Sequence, residues 1–197
     1  MNEVTSTPKR SNLTLWILLA SFLIPAFLAY GYYFFGNRPG VASNGQLITP
    51  IVDIESLNLK DPLGVTVSRD DLTPKWRMYY FVNESCDSKC ENDLYNMRQI
   101  NLALGKNADR VEHVIVHLTA PHNELMKLIE NEHPTAVRVY GAIENAAELI
   151  RPGANDTAQY IYLMDPHGNV MMKFSNSLDA KLILKDINKL LKISRIG

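Results

Sequence analysis

The stretch "WRMYYFVNESCDSKCENDL", residues 76–94, decides how the chain is read. Its first half, Trp76–Asn83, is aromatic and almost uncharged and predicts a buried strand. Its second half opens a helical pattern that runs on through "LYNMRQINLALG". Leu94, Met97, Ile100 and Leu104 fall at helical spacing, and Gly105 supplies a stop. The only two cysteines of the 197-residue chain, Cys86 and Cys90, sit at this strand-to-helix junction, four positions apart.

Downstream, "RVEHVIVHL" (110–118) predicts a second strand and "NELMKLIENE" a second helix. A short strand, "AVRVY", and a short helix, "IENAAELI", come next. "QYIYLMD" and "VMMKFS" predict two strands joined by "PHGN", a hairpin signal because glycine permits the tight turn. "LDAKLILKDINKLLK" closes the chain as an amphipathic helix. Strand–helix–strand–helix, then a hairpin and a last helix, predicts an α/β sandwich with a mixed central sheet and a thioredoxin-like order of elements. Met171, Met172 and the other methionines read as core fillers rather than copper ligands.

Upstream, the pattern is not that of a soluble domain. Residues 13–35 read "LTLWILLASFLIPAFLAYGYYFF" without one charge, long enough to cross a hydrocarbon core of roughly 30 Å as a helix. Trp16 at one end and Tyr30, Tyr32 and Tyr33 at the other suit the two interfaces. Pro25 can kink such a helix without ending it, since lipid offers the backbone no better partner. A cleaved signal peptide would be shorter and end in a small-x-small site, which "YGYYFF" is not. Lys9 and Arg10 precede the span and only Arg38 follows closely. Positive-inside reasoning therefore puts residues 1–12 in the cytoplasm, with the later chain facing the periplasm or an intermembrane space. The expected organisation is a single-pass anchor at 13–35, a linker at 36–56 with a short strand near Leu47, and a globular domain at 57–197. A formal net charge of −1 offers no electrostatic footprint for nucleic acid. No Ser–His–Asp triad, phosphate loop or zinc-binding quartet is visible.

The residues leave the cysteine pair with three readings. It can be a disulfide that staples the helix start, a redox pair, or a clamp for a soft cation such as Cu(I). If residues 86–90 are helical, the spacing puts both sulfurs on one face. A helix N-terminus favours a thiolate, making Cys86 the expected nucleophile. Glu84, Asp87, Glu91 and Asp93 oppose this with like charge, and Lys89 is the one nearby cation. The same acidic collar would welcome a bound cation.

With "LKDPLGVTVSRDDLTPKWRMYYFVNESCDSKC", "NADRVEHVIVHLTAP" and "YIYLMDPHGNVMMKF" in view, the chain resembles the Sco/SenC family of membrane-anchored cytochrome c oxidase copper-assembly proteins. The resemblance covers most of residues 57–192 and the N-terminal anchor. It implies a thioredoxin-like fold, copper held by Cys86 and Cys90, and thiol redox activity towards an oxidase subunit. The chain departs from the family twice. Asp87 stands where the family has proline, and the family's histidine ligand falls at or near Thr157, with no histidine anywhere in 134–166. Cys86 and Cys90 carry over; the histidine does not. His117, near the carboxyl end of the second strand, and His122, in the loop after it, are the candidates to approach the cysteines, because α/β sheets build sites at that end. His167 reads as a surface residue of the hairpin turn.

Three functions follow as expectations. One is an inner-membrane assembly factor handling Cu(I) through Cys86 and Cys90. The second is a thiol–disulfide reductase acting on the copper-ligand cysteines of an oxidase subunit. The third is a thioredoxin-like docking scaffold whose cysteines do no chemistry.

Overall fold

The computed structural model describes residues 12–35, 43–69, 71, 74–146, 149, 160–175, 177–194 and 196. They fall into two units, one within residues 1–42 and one within 43–197.

The first unit is a single helix, α1, Leu13–Phe35, with Pro25 inside it. Its 23 residues span about 34 Å. Phe22, Phe27, Tyr30 and Trp16 are all more than 60% exposed, so the helix carries a largely uncovered apolar surface among the described residues. Such a surface makes the helix a candidate membrane span. It is long and apolar enough to cross a membrane.

The second unit is a sheet covered on both faces. Its strands are β1 (Gln46–Asp53), β2 (Trp76–Val82), β3 (Val111–His117), β4 (Val137–Tyr140), β5 (Tyr160–Met164) and β6 (Asn169–Ser175), in the order β1-β6-β5-β2-β3-β4. Strands β2, β3 and β4 run parallel, whereas β5, β6 and β1 are antiparallel additions. The mixed thioredoxin-like sheet is therefore present. All seven residues of β2 are buried, which is why, Arg77 apart, it reads as a continuous apolar run instead of an alternating one.

Alternation along β2 distributes the two cores. Met78, Tyr80 and Val82 face α2 (Ser88–Ala103), α3 (Asn123–Glu132) and α5 (Ala180–Ile193), packing with Leu94, Met97, Leu125, Ile129 and Ile187. Tyr79 and Phe81 face the other way, onto Val114, Val116, Tyr162, Ile54 and Leu57. A four-residue helix, α4 (Ile143–Ala146), contributes Ala146 to that second face.

The hairpin expected at "PHGN" forms. Asp165 Oδ1 accepts the N–H groups of His167 and Asn169, each at 2.9 Å, and Gly168 takes a φ of +88° that other residues avoid. The strand expected near Leu47 is longer than its composition suggested. Part of the stretch read as linker, 46–56, belongs to the fold as the edge strand β1 and a 3-10 turn that buries Ile54 and Leu57. Pro50 is tolerated because β1 pairs on one side only.

Candidate functional site

The parallel strands β2 and β3 end together at Val82 and His117, and the chain continues from each across the carboxyl end of the sheet. Two backbone bonds hold those continuations side by side: Leu118 N–H to the Val82 carbonyl at 2.9 Å, and His122 N–H to the Glu84 carbonyl at 2.8 Å. The rim so made carries the cysteines.

Helix α2 begins after Asp87, not at Cys86. Asp87 is its N-cap: Oδ1 accepts the Cys90 N–H at 2.9 Å, satisfying one of the donors a helix start leaves unpaired. Cys86 therefore lies outside the helix and Cys90 within its first turn, so the two sulfurs do not share a helix face by i, i+4 spacing. They are joined all the same, in a Cys86–Cys90 disulfide whose Cα atoms are 5.3 Å apart, inside the ordinary range. The two are unequally placed. Cys86 is half-buried, whereas Cys90 is 7% exposed and packs with Leu94 and Met97.

Of the acidic collar, Glu84, Asp87 and Glu91 are exposed. Asp93 is not: it is 1% exposed and accepts the Tyr80 hydroxyl at 2.9 Å. It lies beneath the rim instead of around it. The sequence held the signal for this, since Cys90, Asp93, Leu94, Met97 and Ile100 keep the i, i+3, i+4, i+7 spacing of one helix face.

The histidines separate. His122 lines a small cleft together with Cys86, Glu91, Glu124 and Leu125, and its Nε2 is 3.9 Å from Glu84 Oε2. His117 lies under the rim, 1% exposed, its ring stacked on Tyr140 with centroids 5.1 Å apart. Neither of its nitrogens has a hydrogen-bond partner among the described residues. Burial, aided by the Arg138 charge, pushes its pKa down to about 4. His113 and His133 are likewise buried, with pKa values lowered chiefly by burial. His167 is exposed in its turn. Thr157, where the family's histidine would fall, lies outside the described residues. Among the described residues no group of three or more His, Cys, Asp or Glu side chains gathers to hold a metal.

Half-exposed Cys86, buried Cys90 and a cleft beside the former suit thiol–disulfide exchange, in which one sulfur is attacked and the other leaves. Once reduced, the same pair offers two soft thiolates to a cation.

Comparison with known proteins agrees with this architecture. Residues 76–194 match the family model described as transmembrane-like, thioredoxin-like, C-terminal domain. No curated protein matches the chain. Among solved structures, yeast Sco1 with copper bound is similar with a TM-score of 0.57 at 19% identity, covering 79% of this chain and 96% of that one. The Bacillus protein BsSco, reported with a disulfide switch and as a member of the Sco family of cytochrome c oxidase assembly proteins, has a TM-score of 0.54 at 16% identity, over 74% and 96%. The thioredoxin domain of a thiol–disulfide oxidoreductase from Bacteroides vulgatus has a TM-score of 0.50 at 18% identity, over 73% and 94%. At these identities the likeness is one of fold.

Proposed function

Because the chain belongs to the family of transmembrane-like, thioredoxin-like C-terminal domains, we propose that it is a membrane-tethered thiol–disulfide protein that serves cytochrome c oxidase assembly through Cys86 and Cys90. The observation that carries this reading is the Cys86–Cys90 disulfide on the rim, in which Cys86 is half-buried and lines a cleft while Cys90 is buried. The resemblance to Sco proteins supplies the oxidase. Lys9 and Arg10 before α1, against Arg38 alone just after it, support a domain on the periplasmic or intermembrane side of an inner membrane, where disulfide chemistry is permitted.

In the reductase direction, reduced Cys86 attacks a disulfide in the partner. The partner's S–S bond breaks, one partner sulfur leaves as a thiolate and takes up a proton, and a mixed disulfide forms on Cys86. Cys90, as its thiolate, then attacks Cys86, freeing the partner's second thiol and restoring the Cys86–Cys90 bond. The partner gains two electrons and the pair loses two, so a dithiol reductant of the same compartment must reduce the pair again. Cys90→Ser is expected to accumulate a mixed disulfide with an oxidase subunit carrying copper-ligand cysteines, and Cys86→Ser to form none. Cells whose oxidase assembles normally with both cysteines replaced would point to the docking scaffold instead.

A second reading treats Cu(I) as cargo. It is supported by the fold shared with copper-bound yeast Sco1 and by a pair whose reduced sulfurs can serve one Cu(I) without a third ligand. Fully reduced protein is then expected to take up one Cu(I) against a competing chelator, with uptake lost in Cys86→Ser and in Cys90→Ser. No uptake by reduced wild-type protein would remove this reading and leave the exchange reaction standing.

A further inference from the structure

Between the two cysteines the chain places an acid where it touches the helix start. Asp87 is exposed, and its Oδ1 holds the Cys90 N–H at 2.9 Å. Its backbone carbonyl accepts the Glu91 N–H, also at 2.9 Å. We propose that Asp87 is the residue that sets the redox poise of the Cys86–Cys90 pair, biasing it towards the disulfide. The proposal rests on the exchange reading above.

The physical reason is competition for one place. The N-terminus of a 16-residue helix carries partial positive charge and unpaired N–H donors, and one anion can use them well. A disulfide is neutral and needs none of this. The reduced pair, whose exchange chemistry passes through a thiolate, would draw on it. Asp87 already fills the position with a carboxylate and has taken the N–H of Cys90 itself. Any thiolate forming on Cys86 then meets a fixed like charge next to it in the chain, instead of free donors. Glu84 and Glu91 add to that charge, and Lys89 is exposed on the helix's first turn. Capping and poise are thus two consequences of one contact.

The contact can be separated from the charge, because asparagine and serine cap helices about as well as aspartate does. The test is equilibration of the full-length protein with glutathione and glutathione disulfide in detergent. There two glutathione thiols are oxidised to one disulfide as the Cys86–Cys90 bond breaks and each of its sulfurs gains a proton and an electron. Asp87→Asn and Asp87→Ser are expected to raise the reduction equilibrium constant about three- to tenfold, the upper figure corresponding to about 30 mV. The gain shrinks as ionic strength rises, and Asp87→Glu stays near wild type. A merely structural cap would not produce that salt dependence. Equilibrium constants for Asn and Ser within twofold of wild type at low salt, with the wild-type pair reducible, would overturn the proposal and leave the exchange reading intact. A wild-type disulfide that neither glutathione nor excess dithiothreitol reduces in the folded protein would overturn both.

Discussion

Among the aspartates that hold backbone N–H groups in the sheet domain, Asp186 and Asp87 do so in opposite settings. Asp186, on α5, is 4% exposed. Its Oδ2 accepts the Asn44 N–H at 2.6 Å, the Gly45 N–H at 3.0 Å and the Ser43 hydroxyl at 3.2 Å, while Oδ1 accepts Asn44 Nδ2 at 3.2 Å. Asp87 is exposed and accepts one N–H. A buried carboxylate is tolerable only when its lone pairs are filled, so Asp186 is saturated and its charge is fully used in fixing the start of the domain. The carboxylate on the rim has spare acceptor capacity and acts outward. Saturation marks a structural acid, and its lack leaves an acid free to bias chemistry.

The largest effect is expected at the saturated one. Asp186→Ala leaves the buried Gly45 N–H and the part-buried Asn44 N–H without their acceptor and should cost about 3 kcal/mol. Chemical denaturation measures the loss, and the glutathione equilibrium of the cysteine pair should stay unchanged. Gly45→Ala attacks the same junction sterically: a Cβ there would lie 2.5 Å from both Met172 Sδ and Phe174 Cε1. A movement of the redox equilibrium in either variant would show that the two regions are coupled, and the contrast between them would fail.

His117 comes next, directly beneath the rim. Its folded pKa of about 4 lies below the value of about 6.5 of a solvated imidazole. As pH falls, the unfolded chain binds the proton first. The contribution is whole above about pH 6.5 and is lost progressively down to about pH 4, roughly 2–3 kcal/mol in all. His113 and His133 act in the same direction. Urea midpoints taken from pH 7.5 to 4 should fall steeply in wild type and less so in His117→Phe, which keeps a ring to stack on Tyr140. Equal slopes in the two proteins would mean that His117 does not set the acid limit.

Asp93 sharpens the rule, being buried like Asp186 yet one helical turn from Cys90. Tyr80→Phe removes a donor from it and is expected to cost about 1–2 kcal/mol in stability. A thermal unfolding curve indistinguishable from wild type would mean that Asp93 is adequately held without that hydroxyl.

The sequence was most legible where burial and period coincide. Strand β2 is apolar because both its faces are covered, α3 and α5 announce themselves by spacing, and Gly168 marks its turn. Strand β1 was only partly legible because Gln46, Leu47 and Ile51 face solvent on a sheet edge and Pro50 interrupts the run, so its composition mimics a linker. At the site, the spacing of Cys86 and Cys90 was readable, but the helix start between them depends on which residue caps it. Asp87 was visible as a charge and not as a cap. Asp93 reads in the sequence as one more acid of the collar, because its partner Tyr80 comes from another element. Which histidine stands beside Cys86 depends on how the loops after β2 and β3 bond to each other, through His122 N–H and the Glu84 carbonyl, and no local pattern encodes that.

The smallest effect on stability is expected at Asp87. Asparagine preserves the cap, so Asp87→Asn should change unfolding free energy by no more than about 0.5 kcal/mol, while Asp87→Ala, which loses the bond to Cys90 N–H, should cost about 1 kcal/mol. Comparing the two by urea denaturation of the oxidised protein separates the cap from the charge at the same position. The Asn variant combines an almost unchanged denaturation curve with a displaced thiol equilibrium, the reverse of Asp186→Ala. If Asn instead destabilises as much as Asp186→Ala does, the carboxylate on the rim is as structural as the buried one, and exposure ceases to distinguish them.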